Sequence, residues 1–260
     1  MNNPFGEDGK YICDLIHFDF IFLQNGVLKD DISQHLNRII KNFDLLITSS
    51  KREFKSLLNL NYGYNKDNLA LTGLPRFDQL KRIQKLIKKE KIILIFPTWR
   101  KYIKGTKDLV TQEYIKSENF MNTSYYKFYN NLTNNRFLLN NMNKNNYTGI
   151  LCLHHNFAPQ WIYFKQNYVF KVKEKCSQNE LVKASLLITD YSSIFFDFGY
   201  IEKPIIYSQF DYDEYRNNHF PKGYFEYEKD GFGPVCYDMK CTINNIISEI
   251  KNSCRIKKNF

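Results

Sequence analysis

Long apolar runs are missing from this sequence of 260 residues. No segment approaches the roughly 20 consecutive apolar residues that a helix needs to cross a bilayer, so we expect no membrane-spanning helix. The start, MNNPFGEDGK, contains no hydrophobic core of a signal peptide, and we therefore expect a cytoplasmic protein. The length suffices for one large domain or two smaller ones with a substantial core.

Closely spaced cysteine pairs are missing as well. None of the cysteines belongs to a CxxC pair, which is the spacing typical of zinc sites and redox motifs. Scattered cysteines of this kind favour reduced thiols, without disulfides and without a bound metal. The six cysteines are Cys13, Cys152, Cys176, Cys236, Cys241 and Cys254.

Acidic residues are scarce relative to basic ones. The chain has 27 Asp and Glu against 37 Lys and Arg, for a formal charge of +10. Such an excess attracts nucleic acids, anionic lipids or phosphate-rich ligands. Part of the lysine excess can also reflect A/T-rich codons, because Asn, Ile, Tyr and Phe are plentiful too. No sequence signature of nucleic-acid binding accompanies the basic residues, so we expect no nucleic-acid partner.

Short apolar segments alternate with amphipathic helical patterns along almost the whole chain. This alternation predicts an α/β fold with Rossmann-type parallel sheets and helices on both faces. Two units fit the pattern, a short one over residues 1–77 and a larger one over residues 78–260. The predicted strands are 20–23, 43–48, 69–72, 92–96, 149–153, 186–189 and 205–208.

Polar residues at the starts of apolar periodic segments indicate where helices begin. Asp30 and Asp31 are expected to open a helix with one apolar face, formed by Ile32, Leu36, Ile39 and Ile40. The segments Ser50–Glu53 and Ser177–Glu180 have the capping-box pattern. Residues 101–148 are less regular, with a helix expected around YYKFYNNL and polar connections beside it. Two further helices are expected to be capped by Asp78 and Thr242.

The segment LITDYSSIFFDFGYIEKPII, residues 187–206, runs from an apolar strand through a serine corner into a helix. Ser192 and Ser193 are expected at the first turn of that helix, where backbone N–H groups have no partner within the helix. Their hydroxyls add hydrogen-bond donors, a combination that suits a phosphate. The alternative is that one serine simply caps the helix, which is the commonest role of serine there.

Polar groups also follow other predicted strands. Ligands of parallel α/β sheets bind beyond the carboxyl ends of the strands, so these groups are candidates for one binding cleft. Each alone could be a solvated surface group, and their coincidence is the stronger argument. The groups are Gln24–Gly26, Gly73–Arg76, Pro97–Arg100 and His154–His155.

Four segments together resemble the CDP-glycerol glycerophosphotransferase family, which builds poly(glycerol phosphate) and related polymers of bacterial walls and capsules. The resemblance extends from about residue 18 to residue 240 and is most specific from DYSS to KPII and from GYF to GPV. It implies a GT-B arrangement, in which two Rossmann-like domains face a cleft and the second binds most of the donor nucleotide. The segments are LTGLPRFDQL, ILIFPTWR, LITDYSSIFFDFGYIEKPIIY and KGYFEYEKDGFGPVC.

The resemblance also implies roles for single residues. Ser192 and Ser193 would hold the donor phosphates, Asp197 would help to fix the donor, and His154 would stabilise charge on the pyrophosphate as the nucleotide leaves. No organic cofactor and no metal is implied. The donor-binding residues expected on this basis are Gly26, Arg76, Pro97, Thr98, Arg100, Leu153, His154, Ser192, Ser193 and Asp197.

The sequence departs from the family pattern at the position of the general base. Asn25 precedes Gly26 where the family has a histidine, and an amide cannot accept a proton at neutral pH. Loss of a general base typically costs about 10²–10⁴ in rate. His155 also stands where a proline usually follows the strand-end histidine. The short first unit further suggests a partial first domain beside a complete second one, as in an N-terminally truncated member.

The leading hypothesis is transfer of glycerol phosphate or a similar polyol phosphate from CDP-glycerol, or a related CDP-polyol, with release of CMP. The acceptor would be an anionic polyol-phosphate polymer or a lipid-linked primer at the inner membrane surface, to which the basic protein would bind peripherally. One alternative is a nucleotide- or polymer-binding remnant without turnover. Another is a sugar transferase that uses a different nucleotide donor, because a fold alone does not choose the substrate.

Overall fold

The computed structural model describes residues 19–59, 61–103, 105–107, 109, 114–115, 117 and 119–256. These residues form two compact units. The first comprises the described chain up to Gln79 together with Phe220–Phe225, and the second comprises Leu80–His219 and the chain from Glu226 onward. The chain thus returns to the first unit once, through a segment far away in sequence.

The first unit is built on a parallel sheet with the strand order β1-β2-β3. The central strand β2 is largely buried, and its Leu46 belongs to a core cluster that also includes Leu57. Its described elements are β1 (Ile21–Phe22), α1 (Ser33–Leu36), α2 (Arg38–Lys41), β2 (Leu45–Thr48), α3 (Lys51–Leu57), a 3-10 turn (Lys66–Asn68), β3 (Leu69–Leu71) and the start of α4 (Pro75–Leu86).

Three expectations for this unit need correction. The strand predicted at 20–23 is short and not buried, because β1 is an edge strand on which Ile21 is 51% exposed. The helix predicted after Asp31 is broken at Asn37, whose extended backbone separates α1 from α2 and leaves Ile39 90% exposed. Helix α4 begins at Pro75 instead of at Asp78, since a proline fits the first helical position.

The second unit contains a six-stranded parallel sheet with the order β6-β5-β4-β7-β8-β9. Its described elements are β4 (Ile92–Ile95), a 3-10 turn (Phe120–Asn122), α5 (Ser124–Thr133), α6 (Arg136–Lys144), β5 (Thr148–Cys152), a 3-10 helix (His155–Tyr163), β6 (Phe170–Lys173), α7 (Gln178–Lys183), β7 (Leu186–Thr189), α8 (Ile194–Tyr200), β8 (Ile205–Ser208), α9 (Tyr212–Asn218), α10 (Tyr227–Asp230), β9 (Val235–Cys236) and α11 (Met239–Lys251).

Both faces of this sheet are covered. Leu186 and Ile188 belong to the main core cluster, while Leu187, which points to the opposite face of β7, is also fully buried. The same strand has no exposed residue along its length. This continuous burial is what the apolar segment 186–189 predicts for a strand inside a parallel sheet.

Helix predictions for the second unit are mostly confirmed. The helix around YYKFYNNL is α5, and Ser177 and Glu180 form a complete capping box at α7. The Asn-rich segment that was expected to be a polar connection instead forms α6, which buries Leu138 and Met142. Thr242 does not cap the last helix. Asp238 does so by accepting a hydrogen bond from the Cys241 N–H at 2.7 Å.

The expectation of reduced thiols is wrong for one pair of cysteines. Cys152, at the end of β5, and Cys176, which follows β6, form a disulfide with a Cα–Cα distance of 6.1 Å. The two strands are neighbours in the sheet, which brings the cysteines together. Cys236, Cys241 and Cys254 are free, and Cys13 lies outside the described residues.

Every helix in the described part of the chain is too short or too polar to span a bilayer. The same residues contain no group of His, Cys, Asp and Glu side chains that could hold a metal ion.

Candidate functional site in the second unit

The carboxyl ends of four neighbouring strands in the second unit carry polar residues, and the sequence singled out those at three of the four. His154 follows β5, Thr98 follows β4, Ser192 follows β7, and Asp211 follows β8. These strands lie side by side in the sheet order, so their ends share one edge. The edge is where ligands bind in parallel α/β sheets.

The serine corner is accessible from solvent. Ser192 and Ser193 are both partly exposed. Ser193 occupies the N-cap position of α8, yet its side chain makes no capping hydrogen bond. The Ser192 hydroxyl accepts a long bond of 3.4 Å from the Ile194 N–H. The side chain of Ser193 therefore does not act as a helix cap.

Thr98 presents an unusual hydroxyl at the end of β4. The residue is 8% exposed, and its backbone N–H donates to Asp190 Oδ1 at 2.8 Å. Its Oγ1 is buried and has no hydrogen-bond partner among the described residues. A buried hydroxyl without a partner costs about 1–3 kcal/mol, which makes it a candidate for a ligand contact.

His154 is held in one orientation by its own backbone neighbourhood. It is the N-cap residue of the 3-10 helix His155–Tyr163, and its Nδ1 accepts from the Asn156 N–H at 3.2 Å. Burial lowers the pKa of His154 to about 3, and His155 and His219 add to the effect while Asp190 opposes it. At neutral pH the ring is therefore uncharged, with the proton on Nε2 available as a donor.

An aromatic group lies beside His154. The Trp99 ring centroid is 6.1 Å from that of His154 and 4.6 Å, edge to face, from that of His219. His219 Nδ1 accepts a hydrogen bond from the Lys101 N–H at 2.9 Å. His219 thus helps to fix the loop that follows β4, a contribution that the sequence did not suggest.

The structure gives Arg100 a different place from the one expected. Its side chain is fully buried, with Nε and Nη2 donating to Asp211 at 2.7 and 3.0 Å and Nη2 also donating to Asp190 at 2.8 Å. Nη1 donates to the Thr98 carbonyl at 2.6 Å. Because the guanidinium has no exposed surface, we assign Arg100 to positioning the loop instead of contacting a donor.

Aromatic side chains enclose this buried ion network. The Arg100 guanidinium carbon lies 4.9 Å from the ring centroid of Tyr215, 5.1 Å from that of Tyr191 and 5.2 Å from that of Tyr125. The Tyr129 hydroxyl donates to Asp190 Oδ2 at 3.1 Å. Burial of the arginine is thus compensated by two carboxylates and by ring faces. Sequence reasoning missed Asp211, although its place just after β8 was a usable signal.

Three other expected donor residues are also internal. Leu153 is 1% exposed, Asp197 is 2% exposed, and Pro97 is buried. Their side chains are not presented at the surface of the strand-end edge. Leu153 and Pro97 directly precede His154 and Thr98, and Asp197 lies in α8, which follows Ser193.

The remaining expected residues belong to the first unit. Asn25 is exposed, Gly26 is partly exposed, and the Arg76 guanidinium donates to the backbone carbonyl oxygen of Asn25. The structure thus brings these three residues together at the ends of β1 and β3. The roles that the resemblance gives them, with Arg76 and Gly26 on the donor and Asn25 in the position of the base, stay predictions.

Glu53 organises the loop that follows Asn25. The carboxylate is fully buried and accepts from the Leu28 N–H at 2.7 Å and from the N–H and hydroxyl of Ser49, both at 2.6 Å. Ser50 accepts from the Glu53 N–H at 3.2 Å, as the capping pattern predicts. The sequence indicated a helix cap here and gave no sign of the link to the β1 loop.

The Rossmann-type parallel sheet places the chain among the α/β proteins, whose ligands bind at the strand-end edge that carries these hydroxyl and imidazole groups. A comparison with protein-family models identifies the family within this class. The model of the CDP-Glycerol:Poly(glycerophosphate) glycerophosphotransferase family matches residues 15–259, and the chain belongs to that family.

Two relatives from Bacillus subtilis (strain 168) are similar over most of the chain. The minor teichoic acid biosynthesis protein GgaB is 37% identical over 260 residues, which cover 99% of this chain and 28% of that protein. The teichoic acid glycerol-phosphate primase is 26% identical over 227 residues, covering 84% of this chain and 52% of the primase. The chain thus spans between about a quarter and about half of the length of these relatives.

Solved structures support the fold. The wall teichoic acid polymerase TagF superposes with a TM-score of 0.60 at 16% identity, covering 91% of this chain and 61% of the polymerase. The UDP-GlcNAc 2-epimerase of Methanocaldococcus jannaschii, in complex with UDP-GlcNAc and UDP, gives a TM-score of 0.53 at 11% identity, with 96% of this chain and 66% of that chain covered. At these identities the similarity establishes the α/β fold alone.

Proposed function

We propose that the chain transfers a polyol phosphate, in the simplest case glycerol phosphate, from a CDP-activated donor to a hydroxyl of an anionic polyol-phosphate polymer or of a lipid-linked primer. In this reaction the acceptor oxygen bonds to the phosphorus next to the polyol, the bond to CMP breaks, and CMP leaves with the electron pair. The acceptor hydroxyl loses its proton. Family membership and the teichoic acid relatives support this reaction class.

The observation that carries the proposal is the cluster of hydroxyl and imidazole hydrogen-bond donors at the strand ends of the second unit. The buried Thr98 hydroxyl has no partner among the described residues, and the Ser193 side chain makes no capping bond. His154 adds a neutral ring whose Nε2 carries the proton. Hydroxyl and imidazole donors suit the pyrophosphate of the donor, because its oxygens accept hydrogen bonds.

His154 would act at the bond that breaks. Negative charge grows on the CMP phosphate during transfer, and a donor already aimed at that oxygen stabilises the charge without reorganisation. The low pKa of His154 keeps the ring uncharged across the physiological range, so it would act as a hydrogen-bond donor and not as a general acid.

The buried ion network would hold this site in shape. Asp190 accepts hydrogen bonds from the Thr98 N–H and from the Arg100 guanidinium, and Arg100 in turn donates a hydrogen bond to the Thr98 carbonyl. Both backbone groups of Thr98 are therefore fixed by the network. Such support restricts the orientation of Thr98, as a precise phosphate contact requires.

One feature of the first unit favours a second candidate, binding of the donor or polymer with little turnover. The Asn25 side chain has no group that can accept a proton at neutral pH. Arg76 binds the backbone carbonyl oxygen of Asn25 and leaves the chemistry of that side chain unchanged. For the active enzyme we propose that the acceptor proton passes to solvent, at a reduced rate. We further propose that the net charge of +10 draws the protein to its anionic polymer at the inner membrane surface.

The test is release of CMP from CDP-glycerol in the presence of a glycerol-phosphate primer, with calorimetric titrations of CDP-glycerol and UDP-sugars in parallel. The proposal expects CDP-glycerol binding and primer-dependent CMP. Binding of CDP-glycerol without CMP would favour the binding-only candidate. Tighter binding of a UDP-sugar would overturn the donor assignment.

A further inference from the structure

A cavity of about 520 Å³ lies within the first unit, and none of the donor-binding or catalytic residues expected from the sequence lines it. Its walls come from helix α3 and the turn after it, from the returning segment Phe220–Phe225, and from the residues around Asp31. The volume lies in the range of small-molecule pockets, about 300–1,000 Å³.

One wall is a polar face of α3 and the turn beyond it. Lys55 and Ser56 lie three and four residues after Arg52, and Asn59 lies four and three residues after them, which places the set along one side of the helix and the turn beyond it. The opposite side of the same helix is buried through Glu53 and Leu57. The basic residues therefore line the cavity because the apolar and acidic face of α3 is fixed against the sheet.

The facing wall is the returning segment. The Arg52 Nη2 donates to the Tyr224 carbonyl at 2.9 Å, and the guanidinium lies 5.5 Å from the Tyr224 ring centroid. A Cβ on Gly223 would come within 2.3 Å of the Lys29 carbonyl oxygen, so only glycine allows this close approach. The segment also brings Lys222 to the cavity, which Lys55 lines as well.

The charges around the cavity are mixed but mainly positive. Arg52, Lys55 and Lys222 are cationic, whereas Asp31 supplies one carboxylate, and Asn59 adds an amide. Cations suit a phosphodiester. A carboxylate accepts hydrogen bonds from hydroxyl groups, and an amide both accepts hydrogen bonds from them and donates to them. A chain of polyol phosphates offers both chemistries in alternation, unlike inorganic phosphate.

We propose that this cavity binds a phosphodiester-linked polyol segment of the acceptor chain, apart from the donor site of the second unit. The inference deepens the proposed function and rests on it for the identity of the polymer. Its physical basis is the juxtaposition of Lys55 and Arg52 on α3 with Lys222 on the returning segment.

The test compares two double variants of the full chain. Lys55→Ala/Lys222→Ala removes two cavity charges, and Lys51→Ala/Lys66→Ala removes two exposed charges from the same unit outside the cavity. The probes are a synthetic glycerol-phosphate oligomer, CDP-glycerol, and phosphatidylglycerol vesicles. We expect the cavity variant to bind the oligomer about tenfold more weakly or worse, and the control to change it less than about twofold. Both should bind CDP-glycerol and vesicles like the original protein.

Four results would overturn the site. The original protein could fail to bind the oligomer, or the cavity variant could bind it with unchanged affinity. The two variants could lose oligomer affinity equally, or the cavity variant could lose only vesicle binding, which would indicate a lipid headgroup as the ligand instead. Failure of the original protein to bind CDP-glycerol would overturn the donor assignment and leave a charge-selective oligomer site standing. The two proposals can therefore fail separately.

Discussion

Replacing Thr98 by valine should make the free protein more stable and the donor complex weaker. The substitution keeps the shape of the side chain and removes only the hydroxyl, which is buried and without a partner among the described residues. A buried, unsatisfied polar group costs about 1–3 kcal/mol, so its removal should raise the free energy of unfolding by about 1 kcal/mol. A hydrogen bond to a charged phosphate contributes about 1.5–3 kcal/mol, which corresponds to a loss of about 10–100-fold in donor affinity.

The matched control is Thr189→Val. Thr189 is also fully buried, but its hydroxyl donates to the Phe96 carbonyl at 2.7 Å. The same substitution there should lower the free energy of unfolding by about 1 kcal/mol, because a satisfied hydrogen bond is lost. Urea unfolding followed by circular dichroism measures the stability of the free proteins, and calorimetric titration with CDP-glycerol measures the affinity.

The two substitutions should change the free energy of unfolding in opposite directions, so the comparison can contradict the assignment of an unsatisfied hydroxyl at Thr98. If Thr98→Val destabilises the protein as much as Thr189→Val does, the Thr98 hydroxyl is satisfied within the protein. If the affinity for CDP-glycerol stays unchanged, the hydroxyl does not contact the donor.

Four further predictions concern the same two units. Asp190→Asn should lower the free energy of unfolding by about 3–5 kcal/mol, because it breaks a buried ion pair; a urea midpoint like that of the original protein would contradict the network. Ser193→Ala should weaken CDP-glycerol binding about tenfold without changing the urea midpoint, since the side chain makes no capping bond; a drop in stability would restore the capping role. His154 has a folded-state pKa of about 3 against an ordinary value of 6.5, so the unfolded chain takes up the proton first and stability should fall as pH drops below about 6.5. The loss should reach at most about 2 kcal/mol by about pH 5 and vanish in His154→Gln, and an unchanged slope in that variant would exclude His154. Asn25→His should raise primer-dependent CMP release by about 10² or more if the position is that of the base, whereas no increase would argue against it.

Much of the fold follows from the sequence because apolar segments of four or five residues separate amphipathic helices. The strands over 186–189 and 205–208 were predictable, since continuous burial inside a parallel sheet leaves an unbroken apolar run. Strand β6 was not, because exposed Lys171 between Phe170 and Val172 gives an edge strand little apolar signal. With β6 missed, the pairing of Cys152 with its partner after that strand could not be foreseen.

Only those candidate site residues that directly follow predicted strands could be proposed from the sequence. The sequence singled out His154, Thr98 and Ser193 because each follows an apolar segment, and their roles stay predictions. The burial of Arg100 was not foreseen, because its partners lie 90 and 111 residues away, at Asp190 and Asp211. The local sequence PTWR does not show whether its arginine binds a phosphate or forms a buried ion pair. The cavity beside α3 was missed for the same reason, since one of its three cations, Lys222, lies on a segment distant in sequence.

The most direct test of the account is a crystal structure of the full chain with CDP-glycerol bound. We expect pyrophosphate oxygens within about 3.2 Å of the Thr98 hydroxyl, of a Ser192 or Ser193 hydroxyl, and of His154 Nε2. Donor density that touches none of these groups would contradict the assignment of the strand-end cluster as the donor site.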